Sequence, residues 1–75
     1  MLLVSVERRK RGLSQSKLAR IADVNATSMS RIENGKEPPY RLRGKRIADA
    51  LGWEGDPAEL FREVGDEEEK ALAAV

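Results

Sequence analysis

The chain contains no cysteine and no histidine. The first absence excludes disulfide support and thiol chemistry. The second removes the commonest general base and the commonest metal ligand, and together they remove the usual zinc-ligand sets. Aromatic residues are scarce, with one Trp, one Tyr and one Phe. Only Tyr40 lies in the N-terminal part, which leaves little stacking surface for RNA bases. No apolar run approaches the roughly 20 residues that span a bilayer. Met1-Leu2-Leu3-Val4-Ser5-Val6 is too short for a signal-peptide core and has no basic segment before it. The expected setting is therefore cytoplasmic, with no membrane partner and no cofactor. Nor does any stretch alternate β-branched and aromatic residues as a strand requires.

What the chain does have is helix-forming sequence and charge. Its 75 residues make one small domain, able to bury roughly 60% of the surface its unfolded chain exposes. The net charge of +1 conceals an asymmetry. Residues 1–46 hold 12 Lys/Arg against 4 Asp/Glu, a net of +8, and residues 47–75 hold 2 against 9, a net of −7. A basic front and an acidic back suit a chain that turns one face to a polyanion.

Five helices are expected. The first runs from Leu2 or Leu3 to Arg11 and is stopped by Gly12. Ser14 caps the second, Gln15 to Ala22, with Leu18, Ala19 and Ala22 inward. Asp23-Val24 makes a turn where glycine is usual, Asp23 tolerating the left-handed conformation better than most residues. Asn25 caps the third helix, Ala26 to Glu33, which buries Met29 and Ile32 and ends at Asn34-Gly35. Lys36-Glu37-Pro38-Pro39 forms a loop. The fourth helix spans about Leu42 to Leu51. Gly44 within it costs roughly 1 kcal/mol relative to alanine, so its missing side chain is expected to allow close packing. Asp56-Pro57-Ala58-Glu59 starts a fifth helix carrying Leu60, Phe61 and Val64. Residues 1–64 are expected to form the domain and 65–75 an acidic tail. Isolated helices that short are marginal in water, so the tail reads as a frayed terminus, the alternative being a helix that forms against a partner.

Two polar helices joined by a tight turn are a means of presenting side chains to a groove. Asn25, Ala26, Thr27, Ser30 and Arg31 lie on or near the side of the third helix opposite Met29 and Ile32. Arg31 has the donors to pair with O6 and N7 of guanine. Arg41, Arg43, Lys45 and Arg46 flank the fourth helix, where one or two are expected to reach phosphates. Arg9, Lys10 and Arg11 form either a phosphate patch or a solvated helix face.

Three blocks carry a resemblance that covers residues 3 to about 61: Gly12-Leu13-Ser14-Gln15-x-x-Leu18-Ala19, then Ser28-x-Ser30-Arg31-Ile32-Glu33-Asn34-Gly35-Lys36, then Ile47-Ala48-x-Ala50-Leu51-Gly52. Together they resemble the phage-repressor-like helix-turn-helix family (lambda-repressor fold, Cro/Xre type). The resemblance implies an all-α, compact five-helix domain, with a short extra C-terminal helix as an option. It further implies a third helix docked in the major groove of double-stranded DNA, usually as a homodimer on a palindromic operator. Ala26, Thr27 and Arg31, with Ser30 as a further candidate, fall where the family reads bases. Gln15, Asn34 and Lys36 match backbone-contacting positions, to which Asn25, Arg41 and Arg43 are added as candidates. Arg8 and Glu33 match an ion pair inside the family's domain. Glu7 departs from the pattern, standing where an apolar residue is common.

The expected function is sequence-specific regulation of transcription without catalysis, in the manner of a repressor-type regulator. Ser14/Lys17 and Ser16/Lys17 are the only nucleophile–base neighbours, and neither has an orienting third group. The competing reading is an antitoxin- or adaptor-type module that binds a protein partner through the acidic C-terminal half. Trp53, Leu60, Phe61, Val64 and Leu72 would supply its apolar surface.

Overall fold

Helix starts and stops follow from side-chain and turn chemistry in the computed structural model, which describes residues 1–73. Residues 74 and 75 of the expected tail lie outside the described residues. Five α-helices are present: α1 Leu3–Lys10, α2 Gln15–Ala22, α3 Ala26–Glu33, α4 Arg41–Leu51 and α5 Asp66–Ala73, with a 3-10 helix Pro57–Phe61 between the last two. Ser14 accepts from Lys17 N–H at 3.0 Å to cap α2. Asn25 Oδ1 accepts from Thr27 N–H at 2.8 Å to cap α3.

The first four helices all end in the same way. A left-handed residue follows each one, namely Gly12, Asp23, Gly35 and Gly52. The next residue's N–H then returns to a carbonyl five positions back, as in Leu13 to Arg8, Val24 to Ala19, Lys36 to Arg31 and Trp53 to Ala48. This closure satisfies carbonyls that the helix itself leaves open. Asp23, at φ 56°, is the one non-glycine residue among those described to take the conformation. The tight α2–α3 turn is therefore the strained joint of the four.

α2 packs on both α3 and α4, and apolar side chains make up the core cluster. Val4, Leu18, Met29, Ile32, Ile47 and Leu60 are fully buried. The whole measures 30 × 22 × 22 Å.

Three differences from the sequence expectation have physical causes. The fifth helix begins where Asp56 caps it, the carboxylate accepting from Ala58 N–H at 3.0 Å, but it is a 3-10 helix that ends at Phe61. Arg62 to Val64 instead extend alongside the N-terminus, with Leu3 N–H donating to the Arg62 carbonyl and Val64 N–H to that of Met1. These pairings occupy backbone groups that a longer helix would have turned inward. Second, the tail forms α5, which packs on α1. Arg62 Nη2 holds Glu68 at 2.6 Å, and the acidic first turn, Asp66 to Glu69, complements the positive end of the helix dipole. Third, Gly44 is not required by close packing. A Cβ there would sit 3.5 Å from Phe61 Cε2 and 3.8 Å from the Pro39 carbonyl oxygen, which is ordinary van der Waals contact.

Candidate nucleic-acid interface

The candidate interface is built on α3, and its orientation is fixed from behind. Met29 and Ile32 are fully buried, so the opposite side must face out. Ala26, Thr27 and Arg31 are exposed there, and Ser30 is half-buried at the edge. Asn25 is exposed as well, with its side-chain oxygen already engaged in capping α3.

The far end of α3 is fastened to α1. Glu33, whose side chain is 3% exposed, is gripped by Arg8 through Nε at 3.0 Å and Nη2 at 3.1 Å. Ser5 Oγ donates to the same carboxylate at 2.7 Å. Arg8 Nη1 also donates to the Leu13 carbonyl at 2.9 Å. One guanidinium thus joins α1, the turn before α2 and the end of α3, with every polar group in the knot satisfied. A buried charge is tolerated only on such terms.

Gln15 and Asn34 come together. They line one polar cleft of about 290 Å³ with Ser5, Arg8, Arg9, Glu33 and Glu63. A phosphate-sized group entering it would meet a side-chain amide from the start of α2 and another from the turn after α3, with the cation of Arg9 beside them. Lys36 is exposed next to this turn, its N–H bonded to the Arg31 carbonyl at 2.8 Å. Arg43 is not free: its Nη1 donates to Glu37 Oε2 at 2.9 Å. Arg41 lines a separate groove between the start of α4 and the 3-10 helix, with Pro39, Gly44, Asp56, Pro57, Ala58 and Phe61.

Sequence reasoning missed several roles. Arg11 has a structural role within the domain. Its Nε donates to the Leu51 carbonyl at 2.7 Å, closing the end of α4, and its Nη1 donates to Glu7 Oε1 at 2.7 Å. The odd acid in the first helix is thereby explained, since Glu7 is buried and paired with Arg11 and Lys10. Glu37 was no more than part of a loop, yet it reaches both Arg31 and Arg43. Its partners lie six residues away on either side, across a chain reversal, so no helical spacing rule signals them.

The apolar residues that would have formed a partner-binding surface mostly complete the core. Leu60 and Val64 are buried, and Trp53, Phe61 and Leu72 pack against the core half-buried. Trp53 Nε1 donates to the Asp56 carbonyl at 3.1 Å. Tyr40 and Leu42, at the start of α4, are the exposed apolar side chains of that region. Among the described residues no helix is long and apolar enough to cross a membrane.

Compared with known protein families, residues 6–61 match the model of a helix-turn-helix domain. The matched segment starts in α1 and ends at the last residue of the 3-10 helix, so it takes in the whole α2–α3 pair, α4 and most of α1. Comparison with curated proteins and with solved structures gives no match.

Proposed function

The chain belongs to the helix-turn-helix domain family and is by that membership a DNA-binding regulator in outline; from this premise we propose that it reads a specific duplex sequence with α3 and regulates transcription without catalysis. The observation that carries the reading is the two-sidedness of α3. Met29 and Ile32 are fully buried, while Ala26, Thr27 and Arg31 stand exposed on the other side. Arg31 supplies donors for a guanine, the Thr27 methyl or hydroxyl meets a thymine methyl or a phosphate, and Ala26 packs against a thymine methyl. Gln15, Asn34 and Lys36 fix the register on phosphates, which gives affinity but no sequence information.

Eight residues of helix extend only about 12 Å, too short to read a full turn of duplex. A second copy on a two-fold site, its α3 roughly 34–36 Å away along the DNA, completes the recognition. A long axis of 30 Å lets two domains sit side by side at that spacing.

Selection from random duplex DNA, with binding measured at two salt concentrations, tests the reading. Arg31→Ala is expected to relax preference at one base position, by about 1–3 kcal/mol of discrimination. Lys36→Ala weakens all sequences alike and lowers the salt slope by about 1. Equal losses on specific and random DNA for both variants contradict this division of labour.

A further inference from the structure

Glu37 stands between two arginines of the proposed interface. Its Oε2 accepts from Arg43 Nη1 at 2.9 Å. Its Oε1 lies 3.6 Å from Arg31 Nε, an ion-pair separation longer than a hydrogen bond. The backbone sets this position. The left-handed Gly35 doubles the chain back, so that the N–H groups of Lys36 and Glu37 both donate to the Arg31 carbonyl, at 2.8 and 3.2 Å. Pro38 and Pro39 then stiffen the exit. The Glu37 side chain is 25% exposed, against 55% for Arg31.

A carboxylate placed there reduces the positive charge shown to a polyanion, which by itself weakens DNA binding. It also occupies the Nε side of Arg31. The terminal Nη1 and Nη2 of Arg31 donate no hydrogen bond among the described residues, and two such donors match O6 and N7 of guanine. An unrestrained arginine gives up much rotamer freedom when it docks. An acid already at its back removes part of that loss beforehand.

We propose that Glu37 is a positioning residue for base readout: fastened to α4 through Arg43, it holds the Arg31 guanidinium with its terminal edge towards the base. The inference rests on α3 being the recognition helix. Affinity is given up to the negative charge, and discrimination is gained from the fixed guanidinium.

The test compares wild type, E37Q, R43Q, R31A and R31A/E37Q. Each is bound to the selected site, to that site with the Arg31-dependent base replaced, and to random duplex, at two salt concentrations. E37Q is expected to lower discrimination at that base about fivefold. It is also expected to bind random duplex more tightly, with a salt slope steeper by about 1 as guanidinium charge is released. R43Q, which leaves the carboxylate but removes its anchor, lowers discrimination at the same base and serves as the second route should E37Q fail to fold. In the R31A background E37Q changes no base preference. A preferred site whose discrimination survives both E37Q and R43Q overturns the proposal alone, as does an E37Q effect on preference that persists without Arg31. No preferred site in the wild type overturns the recognition-helix reading itself.

Discussion

Replacing Arg8 by methionine keeps most of the side chain's apolar stem and removes the guanidinium. Glu33 would then keep only the Ser5 hydroxyl as a partner, in a place where its side chain is 3% exposed. Breaking a buried pair from one side costs about 3–5 kcal/mol, because the remaining charge cannot be rehydrated. At about 0.05–0.15 kcal/mol per residue, a chain of 75 residues has roughly 4–11 kcal/mol in total. Arg8→Met therefore removes from about a quarter to all of the stability. Glu33→Met costs less, about 1–3 kcal/mol, because Arg8 is 12% exposed and its head can swing to water. The double variant removes both charges and leaves only the Ser5 hydroxyl and the Leu13 carbonyl short of a partner. It should be more stable than Arg8→Met alone, with a coupling energy of about 2–4 kcal/mol in the cycle. Urea unfolding followed by the single tryptophan, Trp53, half-buried against the core, reads all four proteins. At a urea slope of about 1 kcal/mol/M, Arg8→Met moves the midpoint down by about 3–5 M. A double variant as unstable as the sum of the two singles would refute the reasoning.

Three further outcomes are expected. Gly44→Ala should stabilise the domain by about 0.5–1 kcal/mol and raise the melting temperature by roughly 4 °C, since the added methyl makes only ordinary contacts; a lower melting point would mean the helix pair closes more tightly than those distances show. Asp23→Gly should raise the melting point by a few degrees, because relief of the left-handed conformation exceeds the entropy added to the unfolded chain; calorimetry on the two proteins decides it. The hydrogen bond from Arg62 holds the Glu68 carboxyl below its ordinary value. A depressed acid contributes stability above its unfolded pKa and loses that contribution as pH falls through its folded one, so α5 should loosen on acidification. Carboxyl titration by NMR should show the low midpoint in the wild type and its return to the ordinary range in Arg62→Gln.

Most of the fold was legible because the signals were local. Ser14, Asn25 and Asp56 all cap the helices they precede, and each helix stop needs only a residue that tolerates positive φ. The misjudged parts depend on distant partners. Nothing near Arg62 says that it will lie beside the N-terminus instead of continuing a helix. Nor does Asp66-Glu67-Glu68-Glu69 reveal that α1 is there to dock on. Around the site, the exposed side of α3 followed from its apolar spacing alone. Glu37 did not, because its position is created by a reversal at Gly35 and its charge is spent on Arg43, which belongs to another helix.

The same distinction changes what the charge count means. Residues 1–46 contain four acids, and three of them, Glu7, Glu33 and Glu37, are buried or half-buried against basic residues. Together they engage Lys10 and Arg11, Arg8, and Arg31 and Arg43. Five of the twelve cations of the basic half are thus tied to acids, and Arg9, Lys17, Arg20, Lys36, Arg41, Lys45 and Arg46 form no ion pair among the described residues. A count of +8 taken from composition treats the internal cations and the outward ones as equal. Only outward cations displace counterions from a duplex, whereas Arg8 and Arg11 are committed to holding α1 against α3 and α4. Arg31 and Arg43 fall between the two groups, their side chains 55% and 37% exposed and yet tied to one carboxylate, Glu37. On the proposed reading, affinity and specificity are therefore separable: the unpaired lysines and arginines would govern the first, and the acid beside Arg31 the second.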